Sequence, residues 1–234
     1  MNKRTYTGLA ILVALLAACL IEPIFAAQET FSSPSLSGVT IVLDPGHGGP
    51  DGGAVGEGVE EKEVSLKLAE HVREYLEGAG ASVWLTRESD KDLASPEEKM
   101  LSRRKTEDIK NRVRFIEDKQ ADLFISIHMN AIGSSRWRGA QVFFNPKDER
   151  SEKMAVAVQS ELREQLGNTN REALGLPHVY LLNRPKAPGI LVEAGFLSND
   201  EERKLLTQNV YQKRMAAAIY VGVLRYLEEN EEEI

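Results

Sequence analysis

The amino-acid sequence predicts an α/β fold: a single three-layer domain with a twisted, mostly parallel or mixed sheet and helices on both faces. The first observation is the order of segments, because short apolar runs alternate with helical patterns from about residue 38 onward. This alternation is typical of α/β folds. The second observation is composition, because residues 39–43 and 122–127 are largely apolar at successive positions, as in strands that helices cover on both faces.

The individual elements follow from periodicity and turn residues. Val64, Leu68, Val72 and Leu76 recur at every fourth position, which predicts an amphipathic helix over residues 61–77. Further helices are predicted at residues 106–119, 152–166 and 210–227, and strands at residues 39–43, 81–86, 122–127, 140–144, 178–182 and 190–193. The strand at residues 178–182 is expected at the edge of the sheet, and residues 88–105 are expected to be irregular.

The N-terminal residues predict export. Lys3 and Arg4 precede an apolar run of about 14 residues, whereas a transmembrane helix needs roughly 20. We therefore interpret residues 1–27 as a signal peptide or N-terminal anchor. Residues 28–37 are polar and rich in turn residues, so they are interpreted as a linker. The folded domain is expected over residues 38–234.

Cys19 leaves two alternatives for the N-terminal segment. The four residues that end at Cys19 resemble the lipobox of bacterial lipoproteins, in which the cysteine carries a lipid that anchors the protein to the membrane. Alternatively, Cys19 is one more small residue of the apolar run, and the segment is either cleaved near Ala26 or Ala27 or retained as an uncleaved anchor. Both alternatives imply export, and we expect the protein at the outer face of the cytoplasmic membrane.

Composition and missing motifs exclude several classes of function. The formal net charge of -7 argues against a nucleic-acid partner, which requires basic residues to neutralise phosphates. A single cysteine excludes an intramolecular disulfide and metal sites built from several cysteines. The glycine-rich turn at residues 46–49 lacks the Lys-Ser/Thr pair of a phosphate-binding loop. No Gly-x-Ser-x-Gly elbow is present for a serine nucleophile.

Four polar residues fall where a shared site would form. His47 follows the first predicted strand, His128 follows the third, Glu193 ends a later strand, and Glu61 begins the first helix. Because ligands bind at the carboxyl ends of strands in open α/β sheets, we expect these four side chains to converge. His71, on a helix, is expected to be structural, and His178 is at most a residue that lines the pocket.

Two histidines and a carboxylate form a ligand set for catalytic zinc, which leaves a coordination position for water. Zinc lowers the pKa of bound water to about 7, and a second carboxylate can accept its proton. Taken singly, His128 could be a buried structural histidine, and Glu61 could simply favour the start of a helix. Their convergence with His47 favours metal-assisted hydrolysis.

Four motifs, in order, resemble those of the zinc-dependent N-acetylmuramoyl-L-alanine amidases, the type 3 amidases of bacterial cell walls. They are Leu-Asp-Pro-Gly-His-Gly-Gly at residues 43–49, Glu-Lys-Glu-Val at 61–64, Ser-Ile-His-Met-Asn-Ala at 126–131 and Val-Glu-Ala-Gly-Phe-Leu-Ser-Asn at 192–199. The resemblance covers about residues 38–227.

This resemblance implies zinc as the cofactor and peptidoglycan as the substrate. It implies that His47, Glu61 and His128 are the zinc ligands and that Glu193 is the catalytic glutamate. Asn130, within the third motif, is expected to bind substrate. The reaction implied is hydrolysis of the amide bond between N-acetylmuramic acid and L-alanine, which releases the peptide stem from the glycan. An accessory protein partner is neither implied nor excluded.

A finer resemblance, at residues 86–90 and 102–108, is to the amidases with which endospore formers prepare spore cortex for muramic-δ-lactam formation and germination. It implies a place in the forespore intermembrane space. The first alternative is a vegetative amidase for wall turnover or cell separation. A metal-dependent peptidoglycan deacetylase or peptidase is a further alternative. A non-catalytic homologue would be expected to carry an inert residue where this chain has Glu193.

Overall fold

The computed structural model describes residues 35–230. The predicted signal or anchor at residues 1–27, with Cys19, and most of the predicted linker at 28–37 lie outside the described residues. Leu36, which the linker prediction includes, is buried against the core. Within residues 35–230, no helix is both long enough and apolar enough to cross a membrane.

Eight strands and six helices make up the described part of the chain. The strands are β1 (Thr40–Pro45), β2 (Val55–Gly56), β3 (Val59–Glu60), β4 (Ser82–Leu85), β5 (Leu123–Asn130), β6 (Gln141–Phe144), β7 (Leu174–Gly175) and β8 (Gly189–Phe196). The helices are α1 (Glu61–Gly78), α2 (Leu101–Asp118), α3 (Glu149–Leu166), α4 (Tyr180–Asn183), α5 (Asp200–Leu206) and α6 (Asn209–Glu229).

Six of the strands form one sheet in the order β4-β1-β5-β8-β6-β7, and β2 and β3 form a separate hairpin. The first four strands of that order are parallel to one another. β6 runs antiparallel to β8 and pairs in parallel with β7. The mixed, mostly parallel sheet that the sequence predicts is therefore confirmed.

Each face of the sheet packs against its own apolar cluster. The larger cluster joins Ile41, Ile125 and Val192 to α1, α3 and α6. The smaller cluster joins Val42, Phe124 and other strand residues of the opposite face to α2 and α4. Successive strand residues point to opposite faces, so both clusters contain residues of the same strands. The three-layer arrangement is confirmed, and burial of both clusters supplies the main driving force for folding.

Three predicted elements differ from the structure. Residues 178–182 do not form an edge strand: a short helix, α4, begins at Tyr180, and the consecutive Leu181 and Leu182 are both buried, which a strand does not favour. α2 begins at Leu101, inside the stretch that we expected to be irregular, because Arg104 pairs with Asp92. The short elements β2, β3, β7 and α5 were not predicted.

Candidate active site

His47 lies on the turn that follows β1, in a backbone conformation that the surroundings must enforce. Its φ angle is 61°, in the left-handed region that few non-glycine residues adopt. The preceding Gly46 packs against the ring of His128, where an added Cβ atom would lie 2.4 Å from that ring. A side chain at this position would therefore displace His128. With glycine present, the ring centroids of the two histidines are 5.0 Å apart.

Two buried arginines hold this turn through its carbonyl groups. Arg87 donates to the carbonyl oxygens of Pro45 (3.0 Å) and Gly46 (2.8 Å). Arg112, on α2, donates to the carbonyl oxygens of Pro45 (2.8 Å) and His47 (2.5 Å). Burial of the Arg87 guanidinium lowers its pKa to about 10, so it remains charged at neutral pH. The conformation of the turn is thus fixed from two sides by charge-assisted hydrogen bonds.

Asp44 compensates the charge of Arg112 at the base of the turn. Its side chain is buried, and it accepts from Arg112 Nη1, Thr86 Oγ1 and Ser126 Oγ, each at 2.7 Å. Burial by itself would raise the pKa of Asp44, but Arg112 and the two hydroxyl groups lower it to about 2. A charged carboxylate is therefore held beneath the site at neutral pH.

Glu61 joins the two histidines at the start of α1. Its Oε2 lies 3.2 Å from His47 Nε2, and its Oε1 lies 2.8 Å from His128 Nδ1. The backbone N–H groups of Ala54 and Met129 also donate to this carboxylate, at 2.7 Å and 2.8 Å. One ligand atom from each of the three side chains lies within 4.8 Å of the others. This group could bind a metal ion.

The charge state of Glu61 and His47 favours the binding of a cation. Burial would raise the pKa of Glu61, but hydrogen bonds from His128 and His47 hold it well below its ordinary value. Burial would lower the pKa of His47, but Glu61 and then Asp51 raise it above its ordinary value. Glu61 thus stays negative and favours positive charge on His47. A divalent cation at this position would also compensate the charge of Glu61.

Glu193 lies on β8 beside this group. It is in register with His128 of β5 on one side and with Gln141 of β6 on the other. Its Oε2 is buried and has no hydrogen-bond partner within the described part of the chain. Burial raises the pKa of Glu193 to about 7; the nearby His128 lowers it in part, and Glu61 raises it. A carboxyl group with this pKa can exchange a proton near neutral pH.

Four of the residues that the sequence singled out converge in the structure, and two histidines lie outside the group of ligand atoms. The predicted site residues His47, Glu61, His128 and Glu193 come together at one edge of the sheet. Asn130 ends β5 and is in register with Phe196, after a bulge that separates it from the His128 pair. His71 lies on α1 with its Nδ1 3.5 Å from Glu74, and His178 is exposed between β7 and α4. Neither belongs to the group of ligand atoms.

Several residues that build the site were missed by sequence analysis. Arg87 and Arg112 stand in charged stretches, which normally indicate exposed surface, yet both are buried. Asp51 and Lys105 reach the site through a 2.8 Å ion pair that joins distant parts of the chain. No local pattern identifies such pairs, because only the folded chain brings them together.

Two histidines and a carboxylate at one edge of an α/β sheet, beside a second carboxyl group with one buried oxygen that lacks a partner among the described residues, are the features of a metal-dependent hydrolase. The sequence matches the family described as N-acetylmuramoyl-L-alanine amidase over residues 41–225. The chain belongs to this family.

Relatives and solved structures agree with this family. The chain is 52% identical to the germination-specific N-acetylmuramoyl-L-alanine amidase of Bacillus subtilis (strain 168), over 83% of this chain and 82% of that protein. It is 34% identical to N-acetylmuramoyl-L-alanine amidase LytC of the same strain, over 81% of this chain but 36% of LytC. Its fold is similar to that of the CwlD amidase from Clostridioides difficile, which was solved in complex with the GerS lipoprotein. The TM-score is 0.80 and the sequence identity is 39%, over 82% of this chain and 100% of the CwlD chain.

The activity of the chain follows from the family and these relatives. It is an N-acetylmuramoyl-L-alanine amidase, a hydrolase that cleaves the amide bond between N-acetylmuramic acid and L-alanine in peptidoglycan. The predicted enzyme class and substrate are therefore confirmed.

Proposed function

We propose that the amidase uses zinc, held by His47, Glu61 and His128. The observation that carries this proposal is the convergence of one ligand atom from each residue within 4.8 Å. Zinc takes imidazole nitrogen and carboxylate oxygen in catalytic sites and keeps a position for water or substrate. When bound, zinc supplies Lewis acidity, which polarises a carbonyl group and makes water more acidic. The donor set therefore fits this metal.

We assign the proton transfers to Glu193. Its buried Oε2 lacks a hydrogen-bond partner within residues 35–230, so it is free to accept a proton from the attacking water. The water oxygen bonds to the lactyl carbonyl carbon, and the carbon–nitrogen bond then breaks. Glu193 returns the proton to the departing amine of L-alanine. The products are a free peptide stem and a muramic acid residue that carries a carboxylate. Asn130, at the end of β5, is proposed to contact the substrate next to this bond.

Product analysis tests the chemistry. Peptidoglycan fragments are digested with the purified protein, with and without a chelator, and the products are identified by mass spectrometry. We expect stems with a free L-alanine amine and no released acetate. The reaction should stop when the chelator removes the metal, and added zinc should restore it. Released acetate would indicate a deacetylase, and cleavage within the stem would indicate a peptidase. Full activity in the chelated protein would contradict the zinc assignment.

We infer that the physiological substrate is spore cortex. The support is the 52% identity to a germination-specific amidase of B. subtilis, compared with 34% to LytC. The chain would then prepare cortex for muramic-δ-lactam formation and germination. Expression in a B. subtilis strain that lacks its germination-specific amidase tests this inference: we expect muramic-δ-lactam in the cortex and restored germination. A vegetative wall-turnover enzyme would restore neither.

The proposed substrate lies outside the cytoplasm, so we propose that residues 1–27 direct export and that residues 28–37 link them to the catalytic domain. Delivery to the outer face of the cytoplasmic membrane or to the forespore intermembrane space would follow. If Cys19 carries a lipid, the mature protein gains the mass of a diacylglycerol group and partitions with membranes. In a Cys19→Ala variant, an unchanged mass and unchanged membrane partition would instead favour cleavage near Ala26 or Ala27.

A further inference from the structure

Asp51 contacts the ring of His47 from the side opposite to Glu61. Gly48 and Asp51 exchange two backbone hydrogen bonds, of 3.0 Å and 3.1 Å, which reverse the chain after His47. The reversal places Asp51 Oδ2 2.9 Å from His47 Nδ1. Nε2 of the same ring faces Glu61 at 3.2 Å. The two ring nitrogens therefore have different carboxylate partners, and only Nε2 faces the candidate metal position.

Asp51 is itself fixed by two donors to its other oxygen. Lys105 Nζ lies 2.8 Å from Asp51 Oδ1, and the backbone N–H of Gly53 donates to the same atom at 3.2 Å. Because Oδ1 is occupied, Oδ2 is directed at the imidazole. The side chain of Asp51 is 17% exposed and that of His47 is 24% exposed, so solvent competes only weakly for the contact between them. Lys105 is 49% exposed.

α2 supplies both the contact that holds Asp51 and a contact that holds His47 itself. Lys105 and Arg112 are seven residues apart on this helix, a spacing of two turns that places them on one face. Arg112 donates to the carbonyl oxygen of His47 at 2.5 Å, and Lys105 acts on the His47 ring through Asp51. The backbone and the ring of one proposed ligand are thus positioned by the same helix.

We propose that Asp51, fixed by Lys105, is a positioning residue that keeps the proton of His47 on Nδ1 and directs the lone pair of Nε2 at the metal. The inference rests on the proposed zinc site. A carboxylate that accepts from the outer N–H of a metal-bound histidine sets its tautomer and orientation, and its loss typically lowers metal affinity about 10- to 100-fold. Lys105 lies in the stretch at residues 102–108, which has no role in the proposed reaction.

Zinc affinity in a chelator competition tests this proposal on the full chain. Asp51→Ala should weaken zinc binding about 10- to 100-fold. Asp51→Asn, which keeps an acceptor for Nδ1–H but loses the charge, should recover part of the affinity. Lys105→Met should give a smaller loss, because Gly53 still holds Asp51. Lys110→Met, on the exposed surface of the same helix, should bind zinc as the wild type does.

A matched control separates the ring contact from general support of the loop. Asp90 accepts from the backbone N–H of Gly49 at 2.8 Å but makes no contact with the ring of His47. Asp90→Ala should therefore keep most of the zinc affinity. An equal loss in Asp90→Ala and Asp51→Ala would overturn the proposal, because loop anchoring alone would then explain both.

A spectroscopic readout distinguishes positioning from folding. In long-range nitrogen–proton NMR spectra of the histidine rings, zinc-loaded wild type should show His47 protonated on Nδ1, whereas metal-free Asp51→Ala should lose the Nδ1 proton, because Glu61 then remains as the carboxylate acceptor, at Nε2. Wild-type zinc affinity together with a His47 ring that stays protonated on Nδ1 in Asp51→Ala would overturn this inference while leaving zinc in place. A wild-type protein that binds no zinc would overturn both the proposed metal and this inference.

Discussion

Glu61 and Glu193 are two glutamates beside the same pair of histidines, and their surroundings differ in almost every respect. Glu61 accepts hydrogen bonds from Ala54 and Met129 and contacts both imidazoles, and its pKa is held well below its ordinary value. Glu193 has a buried oxygen without a partner in the described part of the chain, and burial raises its pKa to about 7. Partners, rather than residue type, decide which carboxylate stays charged and which can carry a proton.

The difference extends to the segments that carry the two residues. The turn beside Glu61 is fixed by buried Arg87 and Arg112 and by the charged Asp44 beneath them. Glu193 lies on β8 between β5 and β6, and its Oε2 accepts no hydrogen bond within the described residues. The proposed ligand site thus has dense polar support, whereas one oxygen of the proposed proton carrier is buried without a hydrogen-bond partner in the described residues.

Removal of a proposed ligand should abolish both metal binding and turnover. His128→Ala leaves Glu61 with one imidazole, so we expect loss of bound zinc and a fall in activity of roughly a thousandfold or more, since the metal contributes several kcal/mol. Metal analysis and product formation measure the two effects. His178→Ala, at an exposed position, is the control and should retain both. Full zinc occupancy in His128→Ala would remove that residue from the ligand set.

Loss of the support beneath the turn should appear as lost stability. Arg112→Leu leaves the charge of Asp44 buried without its ion-pair partner, and breaking such a pair typically costs about 3–5 kcal/mol. The free energy of unfolding, measured in urea at pH 7, should fall by this amount. Arg114→Leu, which is exposed on the same helix, should change it little. Equal effects of the two substitutions would contradict the expectation that the buried Arg112–Asp44 pair stabilises the protein.

The raised pKa of Glu193 predicts that replacement of this residue stabilises the protein, whereas Arg112→Leu should destabilise it. Because folding raises this pKa from 4.5 to about 7, the contribution to stability is complete below about pH 4.5 and is lost as the pH rises through 7. In metal-free protein at pH 8, Glu193→Gln should therefore increase the free energy of unfolding, by about 1–3 kcal/mol. At pH 4 the two proteins should be equally stable. A substitution that destabilises the protein at pH 8 would contradict the raised pKa.

The sequence predicted the sheet, and it singled out residues that the structure brings together, because both depend on local patterns. Apolar strands, and helices with apolar residues at every fourth position, can be recognised in the sequence. His47 and His128 follow two of those strands. Glu193 was expected at the end of its strand, but β8 continues to Phe196. The bulge between β5 and β8 accommodates that extension, and a bulge has no clear signature in a single sequence.

The remaining features depend on contacts between distant segments. α2 begins earlier than its apolar pattern suggests because Arg104 binds Asp92, and the Lys105–Asp51 pair spans 54 positions of the chain (105 − 51). The helix α4 replaces a predicted strand because two adjacent leucines are buried on one surface. Tertiary packing overrides local preference in each case.

We propose that the two glutamates have different roles, Glu61 in metal binding and Glu193 in proton transfer. The most direct test measures zinc content and amidase activity together in Glu193→Gln and Glu61→Gln. We expect Glu193→Gln to keep its zinc while turnover falls roughly 10²- to 10⁴-fold, and Glu61→Gln to lose both zinc and turnover. Loss of zinc from Glu193→Gln, or wild-type turnover by it, would contradict the division.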